Sequence, residues 1–190
     1  MLGAPQDIVN GIVARKVHAT AFVHPLAHIQ RTVSIGAGTK VWQFASVIRN
    51  AQIGENCSIA AGAIVDGSVV GNRSIVSHCA FIDPGMVIGN NCFIGPHVSL
   101  CNDIWPRSHR RGWFDMDDLI GGLVTVTRVR DGASIGAGAV IMPGVVIGMD
   151  AMVAAHATVT GDVPDGHLWK RDGRIVPAIE VEDRKRACSP

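Results

Sequence analysis

Aliphatic side chains return every six residues along most of this chain. They stand at Val23, Ile29, Ile35, Val41, Val47, Ile53 and Ile59, again at Val70, Val76, Ile82, Ile88, Ile94 and Leu100, and after a break at Val129, Ile135, Ile141, Ile147, Val153 and Val159. A period of six fits neither an α-helix, whose apolar face returns every ~3.6 residues, nor a hairpin meander with its Asn-Gly or Asp-Gly turns. It predicts a coil with three flat sides. Each hexad supplies a short strand and a corner, the repeated aliphatic points into a triangular prism, and successive coils stack about 4.8 Å apart. Aliphatic-Gly pairs at Ile35-Gly36, Ile53-Gly54, Val70-Gly71 and Ile88-Gly89 are spaced 18, 17 and 18 residues. Three hexads therefore make one coil, and the chain holds roughly seven coils that gain stability by stacking. The step from Ile59 to Val70 is eleven residues rather than twelve, so one corner there is tightened by a residue. Small residues near the corners permit tight turns and unusual φ. The aliphatics themselves are core.

Composition agrees with a repetitive β-rich chain. The 190 residues include 22 glycines and no tyrosine, with 47% hydrophobic content and only 17% charged. That is one domain with ample core rather than a helical bundle or a disordered segment. Lys plus Arg number 17 against 16 acidic residues, so no global field recruits nucleic acid or an anionic membrane. Cys57, Cys79, Cys92, Cys101 and Cys188 contain no Cys-x-x-Cys pair. Neither a disulfide framework nor a zinc knuckle is indicated, and reduced thiols fit a cytoplasmic protein. The start, MLGAPQDIVNGIVARKVH, has no signal-peptide pattern. The expected organisation is an N-terminal segment 1–20, a parallel β-helix domain 21–165 interrupted by a loop at 101–122, and a C-terminal extension 166–190.

A regular prism offers no pocket, so chemistry is expected where the repeat breaks. The largest break, CNDIWPRSHRRGWFDMDDLIGG, begins at Cys101 and carries Trp105, Trp113 and Phe114 among Arg107, Arg110 and Arg111. Such an arm either covers a groove and brings cations to a phosphorylated ligand or packs an oligomer interface. Asp115, Asp117 and Asp118 lack the flanking Gly and Glu of a calcium loop and read as a solvated acidic turn.

Beside the arm, Phe93 to Ser108 reads FIGPHVSLCNDIWPRS. A Gly-Pro hexad, then an Asn-Asp pair and Pro-Arg, resembles the nucleotide-linked 3-amino-sugar N-acetyltransferases among the hexapeptide-repeat acyltransferases. Val41-Trp42-Gln43-Phe44 and the stretch from Arg130 to Ala139 are similar to that family too, and the likeness spans roughly residues 20 to 165. It implies an all-β, left-handed parallel β-helix of roughly seven three-sided coils with one long loop and a short C-terminal tail. The handedness comes from the resemblance alone, since right-handed crossovers are the general rule. It also implies acetyl transfer from acetyl-CoA, as co-substrate and with no metal, to the amine of a UDP- or dTDP-linked amino sugar for cell-surface polysaccharide biosynthesis. The active sites would lie between the subunits of a homotrimer. Asn102 then corresponds to the family's loop Asn, with Asp103 beside it near the reacting amine. Eighteen residues earlier, where relatives often carry an acid, this chain has Pro84 with Asp83 adjacent.

Acyl transfer to an amine needs a neutral nitrogen, a donor facing the thioester oxyanion and a route for the lost proton. Asn102 can orient the nucleophile by accepting its N–H. His78, in the coil before Asn102, is the candidate base or else a corner histidine lining the sugar site, and His97, expected nearly over it, is the substitute. His24, His28, His109, His156 and His167 read as surface or corner residues. Arg107, Arg49 and Arg73 are candidates for the diphosphate. Ala137 and Ala155, on one corner of neighbouring coils, together with Lys170 and Arg171, are candidates for coenzyme A, the last two reading equally as a basic turn. The rival functions are an O-acetyltransferase or other acyltransferase, a γ-type carbonic anhydrase and a non-enzymatic β-helical scaffold. The carbonic anhydrase would need zinc histidines spaced by five, and no two histidines here have that spacing.

Overall fold

The computed structural model describes residues 16–103 and 127–178. Their strands are mostly two residues long and line up into three sheets, the sides of one three-sided solenoid of about seven coils. Face one runs through Lys16–Val17, Ser34–Ile35, Gln52–Ile53, Val69–Val70, Val87–Ile88, Arg128–Val129 and Val146–Ile147. Face two runs through Phe22–Val23, Lys40–Val41, Ser58–Ile59, Ile75–Val76, Phe93–Ile94, Ser134–Ile135 and Met152–Val153, and face three through His28–Ile29, Ser46–Ile48, Ile64–Asp66, Phe81–Ile82, Ser99–Leu100, Val140–Ile141 and Thr158–Val159. All pairings within these sets are parallel. The prism thus has three long edges, 1/2, 2/3 and 3/1, at which the chain turns from one face to the next.

In a two-residue strand one side chain must point in and the other out, and here the second points in. From Ile35 to Val159 this row of aliphatics is buried, with Val65 supplying the member between Ile59 and Val70. A second interior row lies two residues ahead of the first: Ala45, Ala51, Cys57, Ala63, Ser74, Ala80, Cys92, Ala133, Ala139, Ala151 and Ala157 are all buried. Most members of the row are small and fill the inner corners of the triangle, while Val33, Met86, Val98 and Val145 hold the same position in their hexads and are also buried. Where that row holds a hydroxyl it joins two coils. Ser74 Oγ donates to the Gly89 carbonyl at 2.8 Å and accepts from Cys92 N–H at 2.9 Å. Thr39 and Ser68 make the equivalent pairs. On edge 1/2 an amide ladder does the same work outside the core. Asn72 Oδ1 accepts from Glu55 N–H, Asn90 Oδ1 from Asn72 N–H, and Asp131 Oδ1 from Asn90 N–H, all within 2.8–2.9 Å.

The missing residue falls on edge 3/1, where Asp66, Gly67 and Ser68 join face three to face one, with Gly67 at φ 53°. The interruption leaves from the same edge. Ile88 pairs with Val129, so a separation of 41 residues replaces the usual 18 while the ladder continues in register. The solenoid also runs past the expected bounds at both ends. Lys16–Val17 already pairs with Ser34–Ile35, and Leu168–Trp169 continues face two beyond Met152–Val153. Trp169 takes the inward position, 8% exposed, and closes that end of the core. Ile175–Pro177 then folds back antiparallel on it. The Trp-rich arm with Arg107, and the segment after Ala178, lie outside the described residues.

Candidate functional site

Three of the residues singled out above, together with Asp66, share edge 3/1. Arg49, Asp66, Asp83 and Asn102 stand one per coil on four consecutive coils, because Val47, Val65, Ile82 and Leu100 just before them are in register. Asp66, Asp83 and Cys101 each follow an inward aliphatic directly, which stacks them about one strand spacing apart. The backbone N–H of Asn102 donates to Asp83 Oδ2 at 3.2 Å. Arg49 Nε lies 3.1 Å from Asp66 Oδ1, whose side chain is only 8% exposed. That oxygen makes no directed hydrogen bond, so the guanidinium compensates its charge without satisfying it geometrically.

These carboxylates sit in an unusual environment for aspartate. Burial pushes the Asp83 carboxyl above its ordinary value; the Asn102 N–H works against that shift, the charge of Asp66 adds to it and Arg49 opposes it. Asp66 is likewise pushed up by burial and held back by Arg49. The Cys101 thiol is raised by burial and then by the Asp83 charge. Among the described residues the edge therefore presents two stacked carboxylates against one arginine, beside the Asn102 amide, which is half-buried. Asp103 is exposed next to it.

His78 is elsewhere. It lies in the coil preceding that of Asn102, but 24 residues separate the two, which is one coil plus one side. The coil geometry puts His78 on edge 2/3. Five residues of extended chain, up to ~16 Å, separate it from Asp83 along face three. The expected catalytic pair of Asn102 and His78 is thus not brought together within one chain. His97 is also on edge 2/3, and its N–H donates to the His78 carbonyl at 3.0 Å. The residue stacked with His97 is Cys79 rather than His78, both in the left-handed region at φ 57° and 54°. Arg73 is corrected in the same way. It sits on edge 1/2 with Nε donating to Asn91 Oδ1 at 2.8 Å, so Arg49 and Arg73 cannot grip one diphosphate from a single chain.

Edge 2/3 collects the remaining candidates. Ala137 and Ala155 occupy the same corner of adjacent coils, since Ile135 pairs with Val153. Trp169 pairs with Val153, which places Lys170 and Arg171 over Ala154 and Ala155 at the end of that edge. His78, His97, Ala137, Ala155 and Arg171 therefore form a line along one edge of the prism. Asp66 escaped sequence reading because the shortened corner hid its column; a count of 17 back from Asp83 finds it. Among the described residues no group of three His, Cys, Asp or Glu side chains is arranged to hold a metal ion.

Comparison with known proteins fits this architecture. A family model described as the GMPPB C-terminal domain matches residues 12–105, and one for the bacterial transferase hexapeptide, six repeats, matches residues 127–161. The bifunctional protein GlmU of Brevibacillus brevis is 29% identical over 187 residues, covering 89% of this chain and 40% of GlmU. This chain thus spans about two fifths of that relative's length. Among solved structures, the Francisella novicida UDP-N-acetylglucosamine acyltransferase superposes with a TM-score of 0.57 at 18% identity, over 92% of this chain and 74% of that one. A variant of AntD, an N-acyltransferase from Bacillus cereus, gives 0.55 at 17% identity, over 92% and 91%. At such identities these structures speak for the fold. The second of the family matches identifies residues 127–161 as bacterial transferase hexapeptide sequence, and the coils on the other side of the interruption share the same six-residue repeat.

Proposed function

We propose that this protein is an acetyl-CoA-dependent N-acetyltransferase acting on the amine of a nucleotide-diphosphate amino sugar, a 3-amino sugar by the motif around Asn102. The same reading makes it a cytoplasmic homotrimer that serves cell-surface polysaccharide biosynthesis. One observation carries the shared-cleft part of this reading. Face three is bordered by both functional edges, and its outward residues, His28, Ser46, Ile64, Phe81, Ser99, Val140 and Thr158, include no Lys, Arg, Asp or Glu. Faces one and two each carry outward Lys or Arg, at Lys16, Arg128 and Lys40. If face three turns toward a threefold axis, edge 2/3 of one copy meets edge 3/1 of the next. Each cleft then combines Asn102, Asp83 and Arg49 with His78 of the partner subunit. Ala137, Ala155, Lys170 and Arg171 continue along the same edge 2/3 as a track for the pantetheine arm and phosphates of coenzyme A. AntD, which shares the fold, is known in complex with dTDP-4-amino-4,6-dideoxyglucose and coenzyme A, the ligand class proposed here.

The test is thiol release from acetyl-CoA with a panel of UDP- and dTDP-linked amino sugars and their hydroxyl counterparts. Turnover confined to the amines, lost in Asn102→Ala, supports the reading; equal turnover with hydroxyl sugars replaces it by O-acetylation. Sedimentation reads the assembly, and a monomer refutes the shared cleft.

A further inference from the structure

We infer that Asp83 is the catalytic proton acceptor for the amine, with Asp66 as the positioning residue that keeps it basic. The inference rests on the acyl-transfer reading above and assigns a step within it. Asn102 fixes where the amine sits, and a base must lie within hydrogen-bond reach of that point. The carboxylate already in contact with the Asn102 backbone is Asp83, at 3.2 Å. His78 of the same chain is one side of the prism away, and His78 of the partner subunit enters only through the proposed trimer, whereas Asp83 is in place within one chain.

Stacking explains why this carboxylate suits the task. Two carboxylates one strand spacing apart on the same edge disfavour each other's charge, so a proton or a cationic amine is welcome between them. Arg49 pairs with the nearly buried Asp66, and among the described residues no guanidinium forms an ion pair with Asp83. Among the described residues the groups facing Asp83 are Asp66 and Arg49 from the preceding coils and the Cys101 thiol and Asn102 from the following one.

The amino sugar arrives as its ammonium and gives one proton to the Asp83 carboxylate, leaving a neutral amine. The nitrogen lone pair attacks the thioester carbonyl, the C–N bond forms and the C–S bond breaks. The departing thiolate takes the second nitrogen proton as coenzyme A thiol, and Asp83 returns its proton to solvent.

The experiment is the pH–rate profile with the amino sugar accepted in the thiol-release panel. Asp83→Asn is expected to lower kcat roughly 100- to 10,000-fold, with Asp83→Glu recovering part of it, while KM for acetyl-CoA stays put. Asp66→Asn is expected to move the acid limb to lower pH, because it removes a negative neighbour and frees Arg49 to face Asp83. Should Asp83→Asn fail the far-UV check of folding, the Asp66→Asn limb decides. A folded Asp83→Asn enzyme within threefold of wild-type kcat, or an acid limb unmoved in Asp66→Asn, overturns the role. A wild-type enzyme inactive on every amine overturns the acceptor assignment beneath it instead.

Discussion

Gly71→Ala tests how closely the coils approach one another. Gly71 leaves face one at edge 1/2, and its φ lies outside the left-handed region, so alanine is conformationally acceptable there. Space is the obstacle. The added Cβ would lie 2.6 Å from the carbonyl carbon and oxygen of Gly89 and 2.9 Å from Asn90 N, all backbone of the next coil. Comfortable carbon contacts are about 3.5 Å or longer, so the overlap is near 1 Å. Relief requires the coils to part, which stretches the Gly71 N–H bond to the Ile88 carbonyl and the Asn91 N–H bond to the Asn72 carbonyl, both 2.8 Å. Overpacking of this kind costs about 1–3 kcal/mol, against a gain of about 0.4–1 kcal/mol from the stiffer unfolded chain. The net expectation is a loss of about 1–2 kcal/mol, or a fall in Tm of about 2–8 °C for a domain of this size. Thermal unfolding followed by far-UV circular dichroism measures it. Gly161→Ala is the control, since its added carbon would meet nothing within 4 Å. Equal Tm values for the two variants would refute the claim that coil spacing, not turn geometry, requires Gly71.

Ser74→Ala strands the Cys92 N–H and the Gly89 carbonyl in the interior; a loss of about 1–3 kcal/mol by urea unfolding is expected. Asp131 is held below the ordinary aspartate value by hydrogen bonds from the Asn90 side chain and backbone. A depressed folded-state value gives stability that is present above the unfolded-state value and lost as pH falls through the folded one. Asp131→Ala should therefore lower Tm slightly at pH 7 and hardly at all once the pH is below both values, as a series of melts would show. Burial pushes the Cys57 and Cys92 thiols up, and both are nearly inaccessible, so iodoacetamide at pH 8 should spare them until the solenoid unfolds, as read by peptide mass mapping.

The six-residue beat located the inward row because burial in this fold is a local property of each hexad. The coil length was legible for the same reason, and the interval of 17 exposed the shortened corner. What the beat does not announce is the edge on which a corner residue sits, which depends on the remainder after whole coils are removed. His78 and Asn102 differ by 24, a coil and a side, and so part company; Asp83 and Asn102 differ by 19 and meet. Asp66 was invisible because the deletion beside it resets the count. The second interior row was visible as small residues, yet its role as corner filling needed the triangle to be built. Arg107 and the tryptophans of the arm fall outside the described residues.

The interruption has a thermodynamic consequence. Bringing Ile88 to Val129 closes a span of 41 residues instead of 18, and the logarithmic growth of closure entropy makes the difference only about 0.7 kcal/mol. The seam between the fifth and sixth strands of face one is thus nearly as easy to zip as any other. A solenoid built this way can carry an excursion of considerable length at a corner while the ladder on either side stays in register.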